Sequence, residues 1–231
     1  MQTQASCPHC GKQTVRYRNP VPTVDIIIQV KEKIVLIERK NPPHGWALPG
    51  GFVQMDESLE EAALRELKEE TGLGEAYLEQ LYTYGDPQRD PRGRVITVAY
   101  FALIPTDAPL QAASGSDARD VAWFPVDRLP PLAFDHDQIV AYALRRLRYK
   151  LEYSAVGFEL LPAEFTLSEI QHTYELILGE PLDKRNFRRR ILSAEIIEPT
   201  QRLRTGEGRP ARLYHYRADA VAEVQARRLF P

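Results

Sequence analysis

Three glutamates, Glu66, Glu69 and Glu70, stand at i, i+3 and i+4 of a segment whose apolar residues Leu59, Ala62, Ala63, Leu64 and Leu67 recur at helical spacing. That spacing puts the three carboxylates on one helix face and turns Ala62, Ala63 and Leu67 toward a core. Three like charges on one face repel, and a divalent cation relieves the repulsion. Hard oxygen donors select Mg²⁺ or Mn²⁺, which reach a diphosphate while keeping part of their water shell. Glu57, in the loop before the helix, can reach the same ion, and Arg65 can orient a glutamate by a two-point pair. The expected chemistry is metal-assisted hydrolysis. Glu57, Glu66, Glu69 and Glu70 hold a metal that polarises a diphosphate and acidifies a bound water, and any of the four is a candidate base.

The elements that must position these groups read as an α/β domain. Val24–Val30 and Ile34–Arg39 are rich in β-branched residues and flank a turn, Lys31-Glu32-Lys33. After the loop Asn41-Pro42-Pro43-His44-Gly45 and the stretch WALPGGFV, the helix runs from Ser58 and stops at Gly72. Tyr77–Tyr84, Val95–Ile104 and Asp120–Phe124 read as strands, interrupted by the turn-rich loop GDPQRDPRGR. Asp137–Tyr149 reads as a helix, and the proline-rich stretch Pro125–Pro131 before it as the seam between two domains.

From Gly51 the chain reads GFVQMDESLEEAALRELKEETGL. Gly51, Glu57 and the run Arg65-Glu66-Leu67-Lys68-Glu69-Glu70-Thr71-Gly72-Leu73 stand at the spacing of the Nudix box, and every box position is filled. The segment resembles the Nudix hydrolases. The resemblance implies an α/β/α sandwich with a mixed sheet over about residues 21–148, and cleavage of nucleoside diphosphates linked to another group. It also implies a catalytic set of Glu57, Arg65, Glu66, Glu69 and Glu70 served by Mg²⁺ or Mn²⁺. The loop Tyr84-Gly85-Asp86-Pro87-Gln88-Arg89-Asp90-Pro91-Arg92 resembles that of ADP-ribose-type members. Trp46, Tyr82 and Tyr84 are candidates to stack on a purine, and Arg39, Arg89 and Arg92 to contact phosphate or ribose. The Gly50-Gly51 backbone is free of side chains that would hold a substrate away. At the amino terminus, residues 1–20, Cys7-Pro8-His9-Cys10-Gly11 resembles half of a zinc ribbon. A closed zinc site takes four ligands and no second cysteine pair exists, so a metal-free relic is expected.

A second module is expected over residues 149–231. Thr166-Leu167-Ser168-Glu169 has the capping-box pattern and opens an apolar stripe, Leu167, Ile170, Tyr174, Ile177 and Leu178, that ends at Gly179. Asp183 can cap a second helix, KRNFRRRILSA, with Phe187 and Ile191 inward and Lys184, Arg185, Arg188 and Arg189 on the other side. Glu195-Ile196-Ile197 and Arg212–Arg217 then read as strands around the loop TGEGRP, with Arg204 at its base and Arg209 at its tip. Helix, turn, helix and basic hairpin is winged-helix order, and the two helices with a basic wing suit double-stranded DNA. The two halves together resemble the Nudix-related transcriptional regulators of NAD metabolism. That resemblance implies a homodimer on a palindromic operator, retuned or released by ADP-ribose. Many such regulators lack catalytic box residues, whereas Glu57, Arg65, Glu66, Glu69 and Glu70 are all kept here. The preferred reading is an ADP-ribose-binding and -hydrolysing regulator. A non-catalytic ADP-ribose-sensing repressor, and a plain pyrophosphatase whose last module only mediates assembly, stand beside it.

Composition agrees with two jobs in one chain. Of 231 residues, 43% are apolar and 27% charged, and the net charge of −2 excludes a disordered acidic tail or a uniformly basic coat. The balance is uneven: residues 1–144 carry 14 Lys and Arg against 20 Asp and Glu, while 184–228 carry 12 against five. No run approaches the roughly 20 apolar residues that span a bilayer, and no apolar signal core opens the chain, so a cytoplasmic protein without membrane attachment is expected.

Overall fold

A computed structural model of the chain describes residues 3–6, 9–10, 13–16, 19–73, 76–108, 118–205, 210–217 and 219–220. Strands β1 (Thr3–Ser6) and β2 (Gln13–Arg16) pair antiparallel with each other. Cys10 is exposed, and Cys7 lies outside the described residues. There follow β3 (Val21–Val30), β4 (Lys33–Arg39), β5 (Gly45–Ala47), β6 (Gly50–Phe52), α1 (Leu59–Thr71), β7 (Tyr77–Tyr84), β8 (Val95–Leu103), β9 (Ala118–Pro125) and α2 (His136–Leu151). A 3₁₀ turn, Val156–Leu160, leads to β10 (Phe165–Thr166), α3 (Leu167–Leu178), α4 (Lys184–Ser193), β11 (Ile197–Arg204) and β12 (Ala211–Tyr216).

Strands β3 to β9 form one mixed sheet. β3 lies parallel to β8 along its whole length, from Val21 opposite Val95 to Gln29 opposite Leu103. It meets β4 only at the hairpin, where Gln29 faces Ile34 and Val30 faces Lys33. The turn is therefore Lys31-Glu32 alone, with Lys31 left-handed at φ 51°, and Lys33 belongs to the strand. Beyond the hairpin the two strands part: β3 continues against β6, and β4 against β5 and β9. The divergence opens a gap in the sheet, and the functional groups collect there.

β3 is buried on both faces, as its near-continuous run of β-branched residues requires. Val24, Ile26 and Ile28 share a core with Ala62, Ala63 and Leu67 of α1, whereas Ile27 packs in the opposite layer with Ile139, Val140, Ala143 and Leu147 of α2. The result is the expected α/β/α sandwich with a mixed sheet. α1 begins at a reciprocal capping box: the Ser58 hydroxyl accepts from Glu61 N at 3.2 Å and the Glu61 carboxylate from Ser58 N at 2.7 Å. It ends at Gly72, left-handed at φ 74°.

The proline-rich segment after β9 is not a seam. Ala133 N donates to Trp46 O at 2.7 Å, Leu132 bridges to Trp46, and α2 then covers the sheet. The prolines end a strand and set up a helix inside one layer, so their composition mimics a linker. The core beneath α2 is continuous with that of the last module, because Leu147 and Leu151 share a cluster with Ile170, Tyr174, Phe187 and Ile191. Arg148 Nε also donates to Ile177 O at 3.0 Å, tying α2 to the end of α3.

In the last module α3 and α4 carry the caps the sequence announces, Thr166 with Glu169 and Asp183 with Asn186 N. β12 pairs with both β10 and β11 in a three-stranded sheet. β11 starts at Ile197 rather than Glu195, since Glu195 is left-handed at φ 55° and turns the chain out of α4. Phe187 is 2% exposed and edge-on to Tyr174 at 5.6 Å. Phe187→Ala is expected to cost about 3–5 kcal/mol, the range for a truncated core phenylalanine. Chemical denaturation monitored by circular dichroism checks it.

Candidate functional site

Arg65 is the hub of the glutamate cluster. Its Nε and Nη2 donate to the two oxygens of Glu57 at 3.0 and 2.9 Å, its Nη1 to Glu66 Oε1 at 2.6 Å and to Glu69 Oε1 at 3.4 Å, and Nη2 also to Phe52 O. The two-point pair foreseen for Arg65 is therefore made with Glu57. The helix brings Glu66 and Glu69 to the same guanidinium, while Glu57 arrives from the loop. Hydrogen bonds from Arg65 and from Gln54 N pull the Glu57 carboxyl down to about 2. Burial pushes Glu66 up from the usual carboxylate range although Arg65 opposes it. Glu70, one helical turn after Glu66, is 5% exposed.

The grouping is made around a cation that belongs to the protein. Among the described residues no three His, Cys, Asp or Glu stand ready-placed around a metal ion. Arg65 bridges Glu57, Glu66 and Glu69 and so offsets their like charges. The donor set, hard carboxylate oxygens gathered within the reach of one guanidinium, still fits Mg²⁺ or Mn²⁺ in kind. A Cβ built on Gly51 would fall on Glu66 Oε1, so glycine keeps the face of that carboxylate open.

Gly51 is also the wall between the glutamates and a cleft of about 740 Å³, open solvent included, in the gap between β3 and β4. Gly50 and Gly51 line it with Arg39, Arg89 and Arg92, the residues expected from the sequence to contact substrate. At Gly50, φ 156°, a Cβ would strike Val24 O, so only glycine lets β6 lie this close to β3.

The aromatics are placed otherwise. Trp46 does not line the cleft. It meets Phe124 edge-on at 4.7 Å and packs on the core beneath α2, because β5 turns that face inward. Tyr82 and Tyr84 form a cluster, 5.3 Å apart, with Tyr142 of α2 5.5 Å from Tyr82, and they stay outside the cleft since β7 is at the far edge of the sheet.

The cleft contains groups that local patterns did not reveal. Arg89 is buried and donates to both oxygens of Asp135 at 3.0 and 2.7 Å and to Asp25 at 3.4 Å. His136 Nδ1 accepts from Leu48 N at 2.9 Å, which leaves the proton on Nε2, 3.6 Å from Asp25 Oδ1. Arg92 pairs with the buried Asp90 at 2.8 Å. One signal was available: Asp25 is a lone acid inside the apolar run Val24–Val30, where burial demands a partner.

Burial pushes the His136 imidazole below its ordinary 6.5, with Arg89 and Arg39 acting the same way and Asp25 and Asp135 opposing. The unfolded chain then takes up a proton near pH 6.5 that the folded chain refuses, so stability falls as the pH drops below about 6.5. His136→Gln keeps an acceptor for Leu48 N and removes the titration. Thermal unfolding between pH 7.5 and 5.5 should show a shallower decline for the variant than for the parent chain.

On the last module, Lys184, Arg185 and Arg189 are exposed along α4, while Phe187 and Ile191 face the core. Arg188 is only half exposed and its Nη2 donates to Ser168 Oγ at 3.1 Å, so it braces α4 against α3. Arg204 is likewise engaged, with Glu169 Oε1 at 2.8 Å and Glu164 O at 3.0 Å, and so staples the wing to the start of α3 instead of standing free at the loop base. Arg209 lies outside the described residues.

Comparison with known proteins follows this division. Residues 19–146 match the Nudix domain family, and residues 157–216 the NrtR DNA-binding winged helix domain. The chain is 41% identical over 210 residues to the ADPR responsive transcriptional repressor NtrR of Acinetobacter baylyi, covering 87% of this chain and 83% of that one. It is 46% identical over 131 residues to the ADP-ribose pyrophosphatase of Methanocaldococcus jannaschii, covering 56% and 76%. The crystal structure of Shewanella oneidensis NrtR complexed with a 27mer DNA superposes with a TM-score of 0.73 at 39% identity, over 84% of this chain and 93% of that one. Among the described residues no helix is long and apolar enough to cross a membrane.

Proposed function

The chain belongs to the Nudix family and ends in a winged helix of the NrtR type, and from that premise we propose that it is a DNA-binding repressor, acting as a homodimer, whose Nudix domain binds ADP-ribose. The observation that carries this reading is the route from the cleft to α4, the helix assigned here to DNA. Phe134 and His136, at the head of α2, line the cleft. Leu147, Arg148 and Leu151, at its other end, pack on or bond to α3 within one apolar cluster. A ligand that moves the head of α2 therefore acts on the support of α4, a rigid element biased from both ends. The match to a repressor along 87% of the chain supports the same assignment.

A second reading, turnover of the ligand, is favoured by the intact glutamate cluster. Glu57, Glu66, Glu69 and Glu70 would hold Mg²⁺, which when bound neutralises a diphosphate and acidifies a water. Arg65 keeps Glu57 ionised and aligned, and a carboxylate of the cluster would take a proton from an attacking water. Gly50 and Gly51 let the diphosphate lie against the backbone, and the arginines that line the same cleft neutralise it.

Selection of a random duplex pool by the full chain, followed by titration of ADP-ribose against the enriched duplex, tests the regulator. An enriched palindrome whose affinity shifts with ADP-ribose is expected. Absence of enrichment would remove DNA binding, and an enriched duplex indifferent to ADP-ribose would remove the coupling.

A further inference from the structure

The segment Ala133–His136 is held at three points. Ala133 N donates to Trp46 O, the Asp135 carboxylate receives both hydrogen bonds of the buried Arg89 fork, and His136 Nδ1 receives Leu48 N. Phe134, between these anchors, is left-handed at φ 60°, a conformation that a bulky side chain keeps only when its surroundings impose it. The anchoring fixes where the ring goes. It forms part of the cleft wall, with Arg39 Cζ 4.7 Å and Arg92 Cζ 5.2 Å from its centroid. The two guanidinium groups come from β4 and from the loop before β8, and each has a further hold, Arg39 on Pro43 O and Arg92 on Asp90.

We propose that Phe134 is a positioning residue: its ring docks Arg39 and Arg92 side by side as a two-guanidinium clamp for the diphosphate of the ligand. The inference rests on the ADP-ribose reading above and names the group that arranges its charged contacts. Arg39 is also held by Pro43 O and Arg92 by the buried Asp90, and the electron-rich face of the ring adds an attraction that the two guanidinium groups share. Planar guanidinium N–H donors match phosphate oxygens, and two guanidinium groups match a diphosphate. The location agrees, since the clamp lines the same cleft as Gly51, beyond which lie Glu66 and Arg65.

The test is calorimetric titration of the full chain and of Phe134→Leu and Phe134→Tyr, in Ca²⁺ to suppress turnover, with ADP-ribose, inorganic pyrophosphate and adenosine as separate probes. Leucine keeps the apolar packing, and tyrosine keeps the ring. Phe134→Leu is expected to weaken ADP-ribose and pyrophosphate by about tenfold or more, the scale of one charge-assisted hydrogen bond, while adenosine is unchanged. Phe134→Tyr should return both diphosphates to within about twofold of the parent. Equal losses for adenosine and ADP-ribose would make the ring a stacking platform and overturn the clamp, as would undiminished pyrophosphate binding in Phe134→Leu or no rescue by tyrosine. A parent chain that binds pyrophosphate with the expected Phe134 dependence but ignores ADP-ribose would sink the ADP-ribose reading and leave the clamp standing.

Discussion

Glu66→Gln and Glu70→Gln, each alone, are expected to leave the fold intact and to reduce release of AMP from ADP-ribose in Mg²⁺ by about 10²–10³-fold or more, the scale on which one pre-organised electrostatic group acts. Both substitutions change charge at nearly constant shape. Both carboxylates are buried on the face of α1 that meets the sheet, 8% and 5% exposed, and glutamine matches their volume. Packing around Ala62, Ala63 and Leu67 is untouched, and unfolding transitions should move little. What changes is the donor set. An amide binds Mg²⁺ more weakly than a carboxylate and cannot accept a proton from water, so either variant loses part of the charge that draws the metal. At position 66 the change also removes the anion that Arg65 meets at 2.6 Å, leaving the guanidinium more firmly on Glu57. Chromatography of AMP decides the matter. Loss of turnover with ADP-ribose binding retained identifies the cluster as catalytic. If both variants match the parent rate, the cluster is not the hydrolytic centre, and if the parent itself releases no AMP the domain is a sensor.

The second large effect is expected at α4. Arg185→Ala combined with Arg189→Ala should weaken binding to a selected duplex by about 1–3 kcal/mol for each arginine that reads a base, and flatten the dependence of log K on log [salt] by about 0.9 for each phosphate no longer neutralised. These two are chosen because both are exposed, whereas Arg188 reaches back to Ser168 and its removal would loosen the α3–α4 packing as well. The double variant should keep ADP-ribose affinity and the parent's unfolding transition, because Phe187 and Ile191, which seat α4, are unchanged. Fluorescence anisotropy over a salt series checks both quantities. An unaltered affinity and slope would reject α4 as the element that meets DNA and leave the basic hairpin as the alternative.

What the amino-acid order determined alone is whatever depends on neighbours within about one helical turn. The glutamate face of α1, its capping box at Ser58 and Glu61 and its stop at Gly72 are all i to i+4 relations, and so are the caps at Thr166 and Asp183 and the inward turn of Phe187 and Ile191. That Arg65 pairs at two points with a glutamate was also legible, but that the partner is Glu57, eight residues away in the loop, was decided by the fold. Tertiary structure decided the rest, because the partners meet only after the sheet forms. Arg89 finds Asp25 and Asp135, His136 finds Leu48, and Phe134 gathers Arg39 and Arg92, all across separations that periodicity does not encode. The same cause explains the misplacements. Trp46 belongs to the core and not to the cleft because of how β5 pairs with β4, and Arg204 is held by Glu169 because β11 folds back over the start of α3. The prolines after β9 look like a linker until Ala133 is seen bonded to Trp46. Local order thus specifies which groups carry charge and on which face they stand, while long-range pairing specifies which charges are neutralised within the fold and which are left to meet a ligand.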